Sequence, residues 1–221
     1  MILYDNDLDA DAYPVRLLIS LAGLGCERVT IDSSPLALRG HGPRGPVLED
    51  GETRVIGAAA VLRHLAARHA PSWLPAPGDH GDSWLAQLTS PRFAPRQARL
   101  LALFTAEGAP AGLVEEAAHR LQDMDDQLTL GEFEGERWFT GERPTIVDLA
   151  AFGPAALSND YGVEHDPFPA LRRWIRRMRA LPGFIPMPGV PQHYLASVPT
   201  RPRQRGAPDG ERNPRSCGKL R

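Results

Sequence analysis

The chain has 221 residues, of which 42% are hydrophobic and 24% are charged, an ordinary composition for a globular protein with a sizeable core. Its formal net charge of −2 argues against nucleic acid or a membrane surface as a partner of the whole protein. Two distant cysteines, an acidic N-terminus without a signal-peptide pattern and the lack of a long apolar run predict a cytoplasmic protein without a disulfide framework.

The chain opens with a strand–helix–strand pattern. Residues 2–4 (Ile-Leu-Tyr) predict a short strand, and an apolar stripe with helical spacing follows it. The stripe consists of Val15, Leu18, Ile19 and Ala22. The segment 26–32, CERVTID, predicts a second strand from its β-branched residues, and residues 33–45 predict an irregular loop with a short helix.

A hairpin and a helix complete the first predicted domain, residues 1–70. The segments PVLE and TRVI flank Asp50-Gly51, a pair that favours a tight hairpin turn. The helix that follows has an apolar face made of Val61, Leu62, Leu65 and Ala66. The order of elements is therefore that of a small mixed α/β unit.

The rest of the chain predicts a linker, a helical domain and a tail. Proline and glycine mark the linker at 71–82, and residues 83–190 have helical patterns throughout. The stretch 84–104 predicts an irregular or split helix because it contains two prolines. Residues 199–221 are basic and nearly devoid of apolar side chains, so we expect a disordered tail.

Thr145 and Asp148 predict the start of a buried helix. In PTIVDLAAF, the Thr145 side chain accepts from the backbone of Asp148, whose carboxylate reaches back to the Thr145 N–H. This is a capping box with Asp in the usual Glu/Gln position. Its expected role is structural, because the loss of such a cap destabilises a protein by about 1 kcal/mol.

Four segments, in this order, resemble the cytosolic glutathione S-transferase superfamily up to about residue 187. YPVRLLISLAGLGCERVTID resembles its first helix and second strand, and GPVLEDGE its cis-proline loop and hairpin, with Pro46 at the cis-proline position. PTIVDLAAFG resembles the start of its buried sixth helix, and FPALRRWIRRMRALPGF its seventh helix. The resemblance implies a thioredoxin-like α/β domain followed by an all-helical domain, in a two-fold homodimer.

The resemblance also implies a glutathione site, formed by Arg44, Gly45, Pro46, Gly57 and Ala58. The residue before the cis-proline, here Gly45, pairs its backbone with the cysteinyl part of the tripeptide. A Glu/Gln-Ser pair normally binds the γ-glutamyl end, but Gly57 and Ala58 occupy those positions, so both side-chain contacts are missing. The unpaired N–H groups and positive dipole of the helix start need no side chain, so we expect the main-chain part of the site to remain.

The catalytic candidates are Asp9, Asp11 and Tyr13. The family activates the glutathione thiol with a hydroxyl or thiol group near the start of its first helix. Asp9 matches the position of that Ser or Cys, and Asp11 matches an Asn of some bacterial classes. An ionised carboxylate disfavours a neighbouring thiolate, so these residues would act as general bases or bind a cationic substrate. Tyr13, Asn6 and Tyr4 are the nearby hydrogen-bond donors.

No metal site is predicted. The segment 5–11, DNDLDAD, resembles a calcium loop in spacing but lacks its glycine and terminal glutamate, which favours a solvated acidic loop. No zinc-like Cys/His cluster and no Gly-rich phosphate motif are present. The histidines His41, His64 and His69 are assigned to the surface or to an interface.

The resemblance implies a transferase that joins glutathione, its co-substrate, to a small hydrophobic electrophile bound between the domains. The alternative is a non-catalytic binding module that keeps the fold, favoured by Gly57, Ala58 and the aspartate at the activating position. A glutathione-independent lyase or isomerase that uses Asp9 or Asp11 as a base is a third interpretation.

Overall fold

The structure, a computed structural model, describes residues 1–7, 9–31, 45–77 and 80–187. All of them belong to one compact unit, Met1–Gly189. Arg44, His41, most of the loop predicted at 33–45 and the predicted basic tail lie outside the described residues.

A four-stranded mixed sheet forms the N-terminal half. Its strands are β1 (Ile2–Asp5), β2 (Glu27–Thr30), β3 (Val47–Asp50) and β4 (Thr53–Ile56). The order across the sheet is β2-β1-β3-β4, and β1 is parallel to β2 but antiparallel to β3, which pairs antiparallel with β4. A helix, α1 (Tyr13–Leu21), connects the two parallel strands. This arrangement confirms the predicted thioredoxin-like unit.

The hairpin leads directly into α2 (Ala58–His69). The four apolar residues predicted to share a face of this helix are completely buried, since Val61, Leu62, Leu65 and Ala66 are each 0% exposed. Burial of a side chain of this size stabilises the fold by about 1.5–3 kcal/mol. The hydrophobic face therefore fixes α2 against the rest of the core, and with it the position of the helix start.

Five α-helices form the C-terminal half of the described chain. They are α3 (Gly81–Leu88), α4 (Ala94–Phe104), α5 (Ala111–Phe133), α6 (Ile146–Ala156) and α7 (Pro169–Arg179). The predicted split within 84–104 is present, and Pro95 lies in the first turn of α4, where a missing N–H is harmless. Among the described residues, no helix combines the length and the apolar character that crossing a bilayer requires.

The helix α6 holds the two halves together. Nine of its eleven residues are buried, and it packs against α1 and α2 from the N-terminal half and against α3, α4 and α7 from the C-terminal half. A helix that is apolar all round needs partners on all sides. The position of α6 therefore determines how the sheet unit and the helical unit meet.

The capping box predicted for α6 is present and extends further than the sequence indicates. The Thr145 N–H donates to Asp148 Oδ2 at 2.9 Å, and Thr145 Oγ1 accepts from the Val147 N–H at 3.3 Å. Asp148 Oδ1 also accepts from the Phe139 N–H at 3.1 Å and from Trp174 Nε1 at 2.9 Å. Burial raises the pKa of Asp148, and these donors oppose the rise. One carboxylate thus connects the start of α6 with α7 and with the loop that precedes α6.

A buried ion pair organises the connection between β1 and α1. The Asp5 carboxylate is completely buried and lies 2.6 Å from Arg16 Nη1 and 2.5 Å from Arg28 Nε. Arg16 also donates to the carbonyl oxygens of Asn6 and Asp7. The interpretation of this acidic segment as a solvated loop is therefore wrong for Asp5, because two guanidinium groups compensate its buried charge.

We expect Asp148→Ala to lower the free energy of unfolding more than Thr145→Ala does. The first change leaves buried N–H donors of Thr145, Phe139 and Trp174 without an acceptor, at about 1–3 kcal/mol each, whereas loss of the Thr145 cap costs about 1 kcal/mol. Urea unfolding at neutral pH measures both. The control Asp123→Ala, on the exposed face of α5, should change stability by less than about 0.5 kcal/mol; an equally mild Asp148→Ala would contradict the structural role.

We expect Asp5→Ala to destabilise the protein by about 3–5 kcal/mol, because it leaves buried Arg16 without its counterion. Arg28→Ala should lower the free energy of unfolding much less, since the Arg28 side chain is 33% exposed and Asp5 still has Arg16 as its ion-pair partner. Chemical unfolding of the two variants tests this order, and equal losses would show that Arg16 does not depend on Asp5.

Candidate functional site

Three segments expected to contact glutathione meet in the structure. A Cβ placed on Gly45 would lie 3.5 Å from Gly57 Cα, 3.8 Å from the Ala58 nitrogen and 3.9 Å from Asp11 Cβ. The loop before β3, the start of α2 and the loop before α1 therefore approach one another closely. Of the candidate residues in the described part of the chain, the structure brings together Asp11, Gly45, Gly57 and Ala58.

The prediction of a cis-proline at Pro46 is wrong. No cis peptide bond occurs among the described residues, so the Gly45–Pro46 bond is trans. The chain changes direction instead at Gly45, whose φ of +97° lies in the region that favours glycine. The Pro46 carbonyl then accepts the Gly57 N–H at 2.9 Å and ties this loop to the start of α2. The Gly45 backbone makes no hydrogen bond to another described residue.

The N-terminus of α2 presents main-chain N–H groups. Its N-cap is Gly57, and no described side chain caps it. The first hydrogen bond of the helix runs from the Val61 N–H to the Gly57 carbonyl, so the N–H groups of the three residues before Val61 have no partner within the helix. These groups and the helix dipole favour a negative charge at this end.

A cleft opens beside these segments and reaches the C-terminal half. Ala10, Asp11, Pro14 and Ala58 form one wall, and residues of α3, α4 and α6 form the other. The enclosed volume is about 20 Å³, which is room for about one water molecule. The cleft itself is therefore too small to enclose a peptide-sized ligand.

An ion pair crosses the cleft from Asp11 to Arg96. The Asp11 carboxylate contacts Arg96 Nη2, and the two side chains are 16% and 26% exposed. Burial raises the pKa of Asp11 to about 6, although the Arg96 guanidinium opposes the rise. The sequence predicts that an ionised Asp11 disfavours a neighbouring thiolate. The structure places the guanidinium group of Arg96, of opposite charge, against this carboxylate, and the effect of the pair on a thiol stays a prediction.

Asp9 shapes the loop that presents Asp11. Its Oδ1 accepts the Asp11 N–H at 2.8 Å, and its carbonyl accepts the Tyr13 N–H at 3.2 Å. Burial raises the pKa of Asp9. These contacts give Asp9 a positioning role at the start of α1.

The hydroxyl group of Tyr13 points into the core. Its side chain is 1% exposed, and the hydroxyl donates to the Ile185 carbonyl at 2.8 Å. Burial strongly raises the pKa of this group. The Tyr4 hydroxyl is also engaged, with Glu49 at 3.1 Å. This geometry argues against either tyrosine as the donor to a bound thiol.

The sequence analysis missed two arginines of α4, Arg96 and Arg99. Arg99 is 8% exposed, lines the cleft and pairs with Asp160 through Nε at 2.7 Å. Spacing of three residues places both on one helix face, which was a usable signal. The prolines around them instead led to the interpretation of this stretch as irregular.

Comparisons with known proteins agree with the fold. The model of the glutathione S-transferase C-terminal domain family matches residues 97–182. No curated protein matches the chain. A possible glutathione S-transferase from Rhodopseudomonas palustris shares the fold at 24% identity and a TM-score of 0.71, over 86% of this chain and 98% of that one.

Two further solved structures are similar. A glutathione transferase homolog from Lodderomyces elongisporus, solved with two glutathione molecules per subunit, has 17% identity and a TM-score of 0.70 over 82% of this chain and 94% of its own. A glutathione S-transferase from Xanthobacter autotrophicus Py2 is 30% identical with a TM-score of 0.67, and the match covers 85% of this chain and 96% of that chain. The Xanthobacter protein is matched over nearly its whole length at 30% identity, and the family model matches the helical half of this chain. The chain therefore belongs to the glutathione S-transferase superfamily.

Proposed function

We propose that this protein binds glutathione in the groove formed by Asp11, Gly45 and the start of α2. We propose further that it joins glutathione, through its sulfur atom, to a small hydrophobic electrophile. The observation that supports this most directly is the meeting of those three segments beside a cleft with Arg96 on its far wall. Family membership supports the same ligand, as does the relative solved with glutathione. The proposal includes a cytoplasmic homodimer with domains at 1–70 and 83–190, linked by 71–82.

Main-chain groups would provide most of the recognition. The carboxylate of the γ-glutamyl end would face the N–H groups at the start of α2, where the helix dipole favours an anion. The Gly45 backbone, which has no partner among the described residues, remains available to the cysteinyl part. The missing Glu/Gln-Ser contacts would each be worth about 1.5–3 kcal/mol, so we expect weaker binding than in relatives that have them.

The Asp11–Arg96 pair would control the thiol. A cation near a thiol lowers its pKa and increases the thiolate fraction at neutral pH, whereas a carboxylate has the opposite effect. The thiol proton would leave to solvent, the thiolate sulfur would form a bond to the electrophilic carbon, and the leaving group would depart to solvent with the electron pair of its bond to that carbon. We therefore propose that Arg96 activates the thiol and that Asp11 orients Arg96.

The apolar wall of the cleft supports a hydrophobic acceptor. Leu88, Ala150 and Pro154 line the side that belongs to the helical half. A small apolar group would be drawn into this space by the burial of its surface. The acceptor would then approach the thiol from the side opposite the start of α2.

A non-catalytic binding module is the second candidate. The lack of polar side chains at Gly57 and Ala58 favours it, because it removes two contacts that the family uses for glutathione. Titration calorimetry with glutathione separates the two candidates. Millimolar or tighter binding together with thiol conjugation supports the transferase, whereas no detectable binding by the folded protein supports the module.

We expect Ala58→Ser to tighten glutathione binding. Ala58 is buried against the cleft at the first position of α2, so a hydroxyl there restores one of the missing contacts, worth about 1.5–3 kcal/mol, or roughly tenfold to a hundredfold in Kd. Calorimetry measures the change. The control is Ala60→Ser, which places the same group on an exposed position of the same helix and should leave Kd unchanged. Equal effects of the two variants would contradict the proposed site.

We expect Asp11→Asn to lower the pKa of the thiol group of bound glutathione. We expect Arg96→Gln to raise that pKa, and each shift should be up to about one pKa unit. The first change removes a carboxylate beside the thiol and the second removes a cation. A pH titration of thiolate absorbance in the complex measures both. Asp123→Asn and Arg120→Gln, in an exposed ion pair on α5, are matched in charge and should have no effect. Shifts in the same direction would rule out this role for the pair.

A further inference from the structure

Three side chains with metal-binding donors meet where the β3–β4 hairpin contacts the end of α2. Asp50 Oδ2 lies 2.9 Å from His64 Nε2 and 2.7 Å from His69 Nε2. The donor atoms of the three residues all lie within 4.8 Å of one another. Two imidazole groups and one carboxylate therefore face a common point.

The convergence does not follow from the helical repeat. His64 and His69 are five residues apart, which separates them by about 140° around an α-helix, and residues so placed do not share a face. They converge because His69 is the last residue of α2 and Asp50, at the end of β3, lies between the two rings. The ring centroids are 6.4 Å apart.

The surroundings of the cluster suit a cation. All three side chains keep some exposure, 16% for Asp50, 14% for His64 and 31% for His69, so an ion can enter from solvent. His69 ends the helix, where the dipole favours positive charge.

We propose that Asp50, His64 and His69 form a binding site for a divalent transition-metal ion, of which Zn²⁺ is the representative, with water in the remaining coordination position. Imidazole nitrogens together with a carboxylate suit Zn²⁺ and other divalent transition-metal ions better than Mg²⁺ or Ca²⁺. In a tetrahedral Zn²⁺ site with bonds of about 2.0–2.1 Å, the ligand atoms lie about 3.3 Å apart. Each imidazole nitrogen needs to move away from Asp50 Oδ2 by only about half an ångström to reach this spacing, and the two nitrogens lie within 4.8 Å of each other. The partial exposure of the three side chains permits such shifts.

Binding of the ion replaces the two hydrogen bonds to Asp50. Each neutral imidazole turns an Nε2 lone pair to the metal, and the ring proton then resides on Nδ1. The carboxylate contributes one oxygen, so the site keeps a net charge of +1. The ion would fasten the hairpin to the end of α2, with a structural role independent of the proposed transferase activity, because none of the three residues lines the Asp11 cleft.

The test is a Zn²⁺ titration of the untagged, metal-free, full-length protein by calorimetry, in the presence of a non-thiol reductant. We expect one ion per chain in the wild-type protein. His64→Ala and His69→Ala should each weaken binding at least about tenfold, since even outer-shell partners of a metal contribute about 10–100-fold to affinity. The controls are His119→Ala, an exposed histidine on α5, and Cys26→Ser, at the free thiol of the described chain; both should bind as the wild type does.

A second readout is the melting temperature with and without Zn²⁺. An ion that binds only the folded state stabilises it, so Tm should rise for the wild-type protein and for both controls, but not for His69→Ala. Circular dichroism of the metal-free variants verifies that they fold, and His69→Ala, the most exposed of the three positions, is the variant on which the conclusion depends. Absence of Zn²⁺ binding, or equal affinity in the wild-type and His69→Ala proteins, would overturn the proposal.

Discussion

The buried carboxylate of Asp148 is the interaction on which the rest of this structure depends. It accepts hydrogen bonds from the backbone of Thr145 and Phe139 and from the indole of Trp174, so it fixes the start of α6, the loop before it and α7 at once. Because α6 packs against both halves of the described chain, its placement sets the distance between the sheet unit and the helical unit. The cleft between them is a consequence of that distance.

The chemistry of the cleft depends on a second electrostatic arrangement. The Asp5–Arg16 pair holds the backbone of Asn6 and Asp7, Asp9 continues the loop through its contact with the Asp11 N–H, and Asp11 then reaches Arg96 on α4. A continuous series of ion pairs and hydrogen bonds therefore connects β1 with the cleft. This series of contacts ends at an arginine on the wall of the cleft.

Two glycines explain both the lack of side-chain groups and the close backbone approach at the candidate site. Gly45 and Gly57 both have positive φ, and this lets the loop before β3 approach the start of α2 closely. A larger residue at either position would strain the backbone. The start of α2 therefore presents main-chain groups without a described capping side chain, whereas the opposite end of α2 carries the polar cluster of Asp50, His64 and His69.

The sequence by itself determined the architecture, because that information is local. Apolar periodicity predicted α1, α2 and α7, the Asp50-Gly51 turn predicted the hairpin, and the Thr145–Asp148 spacing predicted the cap of α6. Only the tertiary structure decided which side chains meet. The Asp11–Arg96 pair joins residues far apart in sequence, and Asp50 lies between His64 and His69 only because the hairpin packs against the end of a helix. The hydrogen bond from the Tyr13 hydroxyl to the Ile185 carbonyl also depends on long-range packing, which no local pattern encodes.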